Sequence, residues 1–337
     1  MMKMNRVAVA VLAVLGATTV MAQSSVTIYG RLNTTVERQK TGDVNRTSME
    51  NNSSRWGIRG VEDLGSGLKA GFVLESGFNS DTGMGSAWTH GTGAGMSFAR
   101  QSEVNLSSNF GMLRLGNFIP ESYFASADAV SMHNHDTGSS ADALYQDPIW
   151  FGGLSTQNKI GYRTPNMGGL VINASVSMHE KTPTTYQKNG YDLAATYDMG
   201  PLSLGAGYSA VGDDWQASLR GLYTFGQFTL GGYYQRSHQV SQRLGWMDGN
   251  RNNYRLSGMY TLGASEFHAN VGYADKWSNV SDSSAKQWTL GYNYNLSKRT
   301  KVYGYYTKVD NKAGSAYMTG KAGDDFSSFA VGVRHNF

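Results

Sequence analysis

The segment Trp288-Thr289-Leu290-Gly291-Tyr292-Asn293-Tyr294-Asn295-Leu296 alternates apolar or aromatic residues with smaller or more polar ones. Alternation with a period of two places one set of side chains on each face of a β-strand. The same pattern occurs at residues 26–33 and 170–176 and recurs, between turn residues, from Gln23 to the end of the chain. The chain is therefore predicted to be β-structured throughout.

Sixteen such segments are predicted, joined by connections that alternate between tight and mostly longer ones. An even number of strands with short turns on one side is typical of an antiparallel transmembrane β-barrel, with short periplasmic turns and long extracellular loops. All five prolines fall in connections, as an uninterrupted sheet requires. The predicted strands are 25–38, 53–62, 68–79, 98–107, 111–118, 157–164, 169–179, 189–199, 202–211, 215–225, 228–238, 252–262, 266–277, 285–297, 300–310 and 325–337.

The composition excludes several other classes of protein. The 337 residues are 40% hydrophobic and 16% charged and include no cysteine. No series of long apolar runs is present, which argues against a bundle of spanning helices, and the low charge argues against a coiled coil or a disordered chain. Without cysteine the chain has no disulfide, thiol nucleophile or cysteine-based metal site. No cofactor is predicted.

The first 22 residues are typical of a secretory signal peptide. Lys3 and Arg6 precede an apolar stretch at 7–20, and the small residue Ala22 precedes Gln23. An uncleaved anchor helix is the alternative, but this apolar stretch is short for a membrane span. Cleavage leaves a single domain at 23–337 with 27 of the 29 basic residues against 25 acidic ones, a balance that argues against a nucleic-acid partner.

If the barrel closes, its apolar faces point outward to lipid and its polar faces surround water. A soluble β-sandwich or jelly roll, which also alternates, is the competing fold. Strand parity predicts an aromatic girdle beside the short turns, formed by Tyr162, Tyr197, Phe225, Phe228, Tyr260, Phe267, Tyr294 and Phe337. The predicted outward set is Ile28, Leu32, Trp56, Ile58, Phe72, Leu74, Leu113, Leu115, Ile172, Val176, Leu193, Leu204, Leu219, Leu230, Leu256, Val271, Leu290, Val302, Val331 and Val333.

Four ordered motifs make the mature chain resemble the general porins of β-proteobacteria. They are Gln23-Ser24-Ser25-Val26-Thr27-Ile28-Tyr29-Gly30-Arg31, Arg55-Trp56-Gly57-Ile58-Arg59-Gly60-Val61-Glu62-Asp63-Leu64-Gly65-Ser66-Gly67-Leu68-Lys69-Ala70, Ser297-Lys298-Arg299-Thr300 and Val331-Gly332-Val333-Arg334-His335-Asn336-Phe337. The resemblance implies a homotrimer of sixteen-stranded barrels in the outer membrane of a Gram-negative bacterium. It also implies an inward-folded third loop, and a terminal Phe337 that the outer-membrane assembly machinery reads. Such porins often carry Gly-Arg-Gln where this chain has Gly116-Asn117-Phe118, with one positive charge fewer.

The predicted lumen wall is mainly basic. Its cations are Arg31, Arg55, Arg59, Lys69, Lys159, Arg163, Arg220, Arg255 and Arg334, against the acids Glu75, Glu103 and Asp192. The candidate third loop at 119–156 carries only acids, which are Glu121, Asp128, Asp136, Asp142 and Asp147. An acidic loop against a basic wall predicts a passive channel for ions and small hydrophilic solutes with moderate anion preference. Alternatively, the arginines pair with the loop acids to fold the constriction, and both roles are compatible.

Other functions have weaker support in the sequence. The segment His133-Asn134-His135-Asp136 contains metal-binding and catalytic residue types, but it lies in a Ser/Gly-rich loop, and no enzyme is predicted. The second functional class is a barrel acting mainly in adhesion or surface contact through the loop residues Trp88, Trp150 and Trp246.

Overall fold

The computed structural model describes residues 24–85, 97–130, 138–149, 157–179, 188–240 and 245–337, so the predicted signal peptide at 1–22 lies outside the described residues. The described ranges form seventeen strand segments in one antiparallel sheet, with two short helices, α1 (Glu121–Ala125) and α2 (Ala127–Val130). The strands are β1 (Ser25–Thr41), β2 (Val44–Asn51), β3 (Arg55–Gly65), β4 (Leu68–Gly77), β5 (Gln101–Ser108), β6 (Gly111–Asn117), β7 (Lys159–Arg163), β8 (Leu170–Ser177), β9 (Gly190–Met199), β10 (Leu202–Val211), β11 (Asp214–Phe225), β12 (Phe228–Gln239), β13 (Gly249–Leu262), β14 (Ser265–Ala274), β15 (Ala285–Asn295), β16 (Thr300–Asn311) and β17 (Phe326–Asn336).

The seventeen segments make sixteen barrel strands, because β2 and β3 are two halves of one strand. β2 pairs with the second half of β1 and β3 pairs with the first half. Between β2 and β3, the Ser54 hydroxyl accepts a hydrogen bond from the Asn33 N–H at 3.0 Å. This bond holds the segment between the two halves against β1. The other edge of β1 pairs with β17 and closes the sheet. The predicted sixteen-stranded antiparallel barrel is confirmed.

The first connection differs from the prediction. The sequence pattern predicts a long loop between strands ending at 38 and starting at 53, whereas β1 continues to Thr41 and turns back within two residues. Gly42 takes a φ of 54° in this turn, a conformation that costs glycine little. Most residues of β2 are polar, so this strand lacks the alternating apolar pattern by which strands are predicted. A tight turn therefore replaces the expected first loop.

The two faces of the sheet have opposite character. Most of the predicted outward residues are exposed on the outside of the barrel, with values such as 66% for Leu256 and 62% for Leu219. Trp56, Ile58, Phe72, Leu74, Ile172 and Val176 are half-buried. The inner face is largely polar and includes buried residues such as Gln216 and Thr289. A sheet with this distribution fits hydrocarbon outside and water inside.

An aromatic row crosses five neighbouring strands beside the short turns. The rings of Phe225 and Phe228 lie 5.6 Å apart, those of Phe228 and Tyr260 lie 4.7 Å apart, and those of Phe267 and Tyr292 lie 5.1 Å apart. Aromatic rings of this kind sit at the boundary between hydrocarbon and headgroups. The row marks one membrane interface on this side of the barrel.

The chain end completes the seam between β17 and β1. The Phe337 N–H donates to the Gly30 oxygen at 3.1 Å, and the Gly30 N–H donates to the Phe337 oxygen at 3.0 Å. A Cβ at Gly30 would lie 2.7 Å from the Arg55 backbone oxygen and 2.4 Å from the Phe337 ring, so a larger residue would force the strand or the ring to shift. No helix within the described ranges is long and apolar enough to cross a membrane.

Neighbouring residues on β5 test the assignment of the two faces. Val104 is 53% exposed on the outer face, and Asn105 lies on the inner face. We expect Val104→Arg to lower the free energy of unfolding by about 2–4 kcal/mol, because it places a charge in hydrocarbon. The matched variant Asn105→Arg should change it by less than about 1 kcal/mol. Denaturant unfolding in lipid vesicles measures both values, and equal losses would contradict the assignment.

Candidate pore constriction

The third loop turns into the barrel directly after β6. Its helices α1 and α2 pack on the inner wall, where Gly205 and Gly207 of β10 face α1. A Cβ at Gly205 would lie 1.8 Å from the Ala125 oxygen, and one at Gly207 would lie 2.7 Å from the Ser122 oxygen. The two glycines therefore allow the loop backbone to lie directly against the sheet.

A buried carboxylate on β9 holds the start of α1. The N–H groups of Glu121 and Ser122 donate to Asp192 at 2.8 Å and 3.4 Å. The first N–H groups of a helix have no partner within the helix, so the carboxylate supplies one for them. Asp192 is 4% exposed and thus serves the loop instead of the open lumen.

The returning part of the loop is fixed by a buried ion pair. The Asp142 carboxylate lies 2.6 Å from the Arg255 guanidinium of β13, and the side chains are 4% and 0% exposed. The Tyr233 hydroxyl donates to the same carboxylate. Loop 3 therefore covers Arg255, which the sequence assigned to the pore lining. Losing one partner of such a pair leaves an uncompensated buried charge, which costs about 3–5 kcal/mol.

Barrel side chains also bind the loop backbone directly. Arg251 donates to the Leu144 oxygen at 2.6 Å. Gln235 accepts from the Gln146 N–H and donates to the Gln146 oxygen, at 3.2 Å and 2.7 Å. Gln287 does the same for the Ala143 N–H and the Ala141 oxygen, both at 2.9 Å. These bonds replace the strand partners that an irregular segment lacks inside a barrel.

Apolar packing adds to these bonds. Tyr145 is 2% exposed and belongs to a cluster with Ala127, Val130 and Tyr233. Burial, with a further contribution from the charge of Asp147, raises the pKa of the Tyr145 hydroxyl well above its ordinary value. Leu144 packs in a second cluster with Met247 and Trp277 from the outer loops.

The far end of the loop reaches β1. The Glu37 carboxylate is buried and accepts hydrogen bonds from Thr35, Gln39, Tyr305, Ser328 and, on the loop, Ser139. A carboxylate with several donors tolerates burial better than an unsatisfied one. Loop 3 thus contacts the wall from β9 around to β1, and the inward-folded third loop implied by the family resemblance is present.

Phe118 directly follows Asn117, which stands where the family resemblance implies an arginine. Its ring is 1% exposed and lies between two cations, with Arg114 at 4.1 Å and Lys159 at 4.4 Å from the ring centre. Arg114 also binds Glu103 at 2.7 Å and Glu121 at 2.5 Å. Lys159 donates to the Phe118 oxygen at 3.1 Å and is 2% exposed, so loop 3 covers this predicted wall cation as well.

A second set of cations lies on β1, β3, β16 and β17, which the closure makes neighbours. Arg31 is directly opposite Arg55, and Lys301 is directly opposite Arg334. Arg59 follows on the inner face of β3, with its guanidinium 5.2 Å from the centre of the Tyr29 ring. We call Arg31, Arg55, Arg59, Lys301 and Arg334 the basic stripe.

The basic stripe has polar partners on the wall. Arg31 donates to the Asn336 side chain at 3.3 Å, and Arg55 lies 3.7 Å from Glu75. Glu75 also binds Arg100 at 2.7 Å. The wall therefore carries one strongly basic region beside a local acid.

The remaining predicted residues have other positions. Lys69 and Arg163 are exposed near the short turns, and Arg220 donates to Ser203 and the Leu204 oxygen at 2.9 Å and 3.1 Å. Asp147 is buried within the loop, and Asp128 is half-buried. Asp136, the His133 segment, Trp88 and Trp150 lie outside the described residues. Trp246 does not project freely from its loop, because its ring packs against Tyr317, with 4.6 Å between the ring centres.

Sequence analysis missed four cations of this region, one of which is Arg100, the residue before β5 that binds Glu75. Arg114 and Lys301 lie at inward-facing positions of predicted strands, so a complete application of strand parity would have assigned them to the wall. Arg251 lies one residue before the predicted start of its strand at 252. Within the described ranges, no group of three or more His, Asp or Glu side chains could hold a metal ion.

A closed barrel with a lipid-facing outside and a charged loop inside is the architecture of an outer-membrane channel. The sequence profile described as Gram-negative porin matches residues 8–314. The chain belongs to the Gram-negative porin family, and it is located in the outer membrane.

Individual relatives agree with this assignment. The chain is 35% identical to outer membrane porin protein 32 of Delftia acidovorans over the full length of both chains. It is 28% identical to an outer membrane porin of Bordetella pertussis, covering 85% of this chain and 83% of the relative. The structure of an anion-selective porin from Comamonas acidovorans superposes with a TM-score of 0.73 at 29% identity, covering 94% of this chain and all of that one.

The buried pair of Asp142 and Arg255 tests how loop 3 is held. We expect Asp142→Asn to loosen the loop and to raise the single-channel conductance, with larger current fluctuations, because Arg255 loses its counter-charge. The double variant Asp142→Asn/Arg255→Met should fluctuate less than the single variant. Planar-bilayer recordings measure both.

A matched control is available on the outer surface. Asp310 forms an exposed ion pair with Lys308 at 2.5 Å, so Asp310→Asn makes the same chemical change away from the loop. It should leave the conductance unchanged. A conductance of Asp142→Asn equal to that of the control would contradict the anchoring role.

Proposed function

We propose that the protein is a passive diffusion channel for ions and small hydrophilic solutes, with a moderate preference for anions. The observation that carries this proposal is the basic stripe, in which Arg31 faces Arg55 and Lys301 faces Arg334 across neighbouring strands. Like charges directly opposite each other destabilise a sheet. Because these cations are concentrated on an inner face in spite of this cost, their arrangement supports a role in attracting solutes of opposite charge.

The loop acids modify this preference only in part. Asp142 pairs with Arg255, Glu121 pairs with Arg114, and Asp147 is buried within the loop. These carboxylates therefore hold the loop in place, and the basic stripe lies on other strands. In this proposal, Arg114 and Arg255 pair with loop acids, and the arginines of the basic stripe act on solutes.

The expected preference is moderate for an electrostatic reason. Two unit charges 4 Å apart interact by about 1 kcal/mol in water and by about 4 kcal/mol at an effective dielectric constant of 20. Several cations in a water-filled pore therefore favour anions without excluding cations, and added salt weakens the preference. The relative from Comamonas acidovorans, named an anion-selective porin, agrees with this direction.

We extend the proposal to assembly. The family resemblance implies a homotrimer, and it implies that the outer-membrane assembly machinery reads Phe337. In the finished barrel the Phe337 ring is 44% exposed while its backbone pairs with Gly30, which is compatible with a residue that is bound first and paired last. Deletion of Phe337 should then reduce the amount of assembled, heat-modifiable barrel in the outer membrane.

The reversal potential under a salt gradient tests the proposed selectivity. We expect the wild-type protein to give an anion-favouring potential, and Arg31→Glu and Arg59→Glu each to move it toward cations. Each variant changes the wall charge by two units, which favours cations near the stripe. The potential is measured in planar bilayers on single inserted channels.

Arg299→Glu is the matched control, because Arg299 is exposed in the turn before β16 and outside the stripe. It should shift the potential by much less. A cation-favouring wild-type potential would contradict the proposal. A barrel that passes almost no current would instead support the adhesion alternative.

A further inference from the structure

Three outer loops, which follow β12, β14 and β16, are joined to one another by backbone hydrogen bonds. Their described residues, which we call the loop cap, are 245–248, 275–284 and 312–325. The Asn279 N–H donates to the Asp248 oxygen at 3.2 Å, and the Gly314 N–H donates to the Asp282 oxygen at 2.8 Å. The middle loop is therefore bonded to both of its neighbours.

An apolar cluster joins the loop cap to loop 3. Met247, Trp277 and Tyr317 bring one buried side chain from each loop of the cap, and Leu144 comes from loop 3. Leu144 and Trp277 are both 0% exposed. Closely packed side chains transmit a displacement from one side of a cluster to the other, because a protein interior has low compressibility. The position of loop 3 is thus tied to that of the cap.

Arg251, on the inner face of β13, lies where loop 3 and the loop cap meet. Its guanidinium donates to the Leu144 oxygen of loop 3 at 2.6 Å and to the Tyr317 hydroxyl of the cap. The guanidinium carbon lies 4.8 Å from the centre of the Trp277 ring and 5.7 Å from that of the Tyr317 ring. One side chain therefore contacts loop 3 and two loops of the cap.

The burial of Arg251 is costly. Its side chain belongs to a residue that is 1% exposed, and within the described ranges no carboxylate lies within ion-pair distance of it. Arg255, further along the same face, has Asp142 as its partner. A buried charge without a counter-charge is unfavourable, and contacts with two aromatic rings offset only part of this cost. An apolar residue would avoid the cost but could not bond both loops, so the guanidinium at this position indicates a role in joining them.

We propose that Arg251 is a positioning residue of the channel, which fixes the returning part of loop 3 to the loop cap. The constriction is then held from the outer surface as well as from the barrel wall, and a disturbance of the cap displaces loop 3. Because Arg251 is buried, it acts through loop 3 and not on solutes. This inference rests on the proposed channel function, but hydrogen exchange of loop 3 tests it without measuring any current.

Arg251→Gln tests the contact with loop 3. We expect the backbone amides at 138–149 to exchange at least about tenfold faster in this variant, because hydrogen bonds from a charged group to both loops are lost. Hydrogen–deuterium exchange with mass spectrometry on the detergent-purified full barrel measures this rate. In planar bilayers the same variant should show larger current fluctuations.

Arg59→Gln is the matched control, because it removes the same charge from the basic stripe. It should shift the reversal potential toward cations and leave the exchange of loop 3 unchanged, whereas Arg251→Gln should shift the potential by much less. A larger potential shift without faster exchange in Arg251→Gln would identify a solute-facing cation and overturn the proposal. An unshifted potential in Arg59→Gln would contradict the proposed selectivity but not the role of Arg251, which the exchange rate decides.

Tyr317→Phe tests the coupling to the loop cap. It removes a single oxygen atom and keeps the ring, so it preserves the packing even if Arg251→Gln does not fold. We expect loop 3 to exchange about threefold faster or more, since Arg251 loses one hydrogen-bond partner. In the Arg251→Gln background the same change should add nothing. Tyr234→Phe is the matched control, because the exposed Tyr234 hydroxyl donates to Asn252 at 2.9 Å on the outer face.

The comparison of these rates decides between the outcomes. Equal exchange in Tyr317→Phe and Tyr234→Phe would overturn the coupling to the cap. An additive effect of Tyr317→Phe in the Arg251→Gln background would show that Tyr317 acts independently of Arg251, which would also overturn the proposal. The amides of β4 serve as the reference for global unfolding. If they exchange faster by the same factor as loop 3, the variants only destabilise the barrel, and the positioning role is wrong.

Discussion

The structure depends on the requirement that every backbone N–H and C=O group inside a membrane has a partner within the protein. Hydrocarbon offers no hydrogen bonds, so a sheet in this environment must close. Here β1 meets β17 along eleven residue pairs from Arg31 to Thr41, and Phe337 extends the seam at Gly30. In a closed sheet, the two-residue period of each strand places alternate side chains toward lipid and toward the interior. The polar interior and the apolar exterior are both consequences of this constraint.

A closed wall also determines how a loop can narrow the lumen. An irregular segment inside the barrel needs partners for its own backbone, and side chains such as Arg251, Gln235 and Gln287 supply them. Two buried charges of the wall also hold the loop: Asp192 binds the start of α1, and Arg255 binds Asp142 in the returning part of the loop. The wall cations Lys159, Arg251 and Arg255 thus contact loop 3, whereas the cations of the basic stripe lie on other strands.

Strand parity accounts for most of what could be predicted from the sequence. It separates Ile58 from Arg59 correctly because one face of every strand must be apolar, whatever the packing. It does not identify the tight turn at Gly42, because Val44 and Met49 are the only apolar residues of β2. It also does not identify the burial of Lys159 and Arg255, because this burial depends on the path of loop 3. That path is set by contacts between residues far apart in sequence. The contact of loop 3 with Gly205 and Gly207 likewise cannot be predicted from the local sequence pattern.

Thiol accessibility tests the alternation of faces most directly, and the chain has no native cysteine to interfere. Single cysteines at the four successive positions 104–107 of β5 would be exposed in a planar bilayer to a charged, membrane-impermeant thiol reagent. We expect positions 105 and 107 to react and to reduce the current, and positions 104 and 106 to remain unmodified. Uniform reactivity along the strand, or reaction of the even positions alone, would contradict a barrel with water inside and lipid outside.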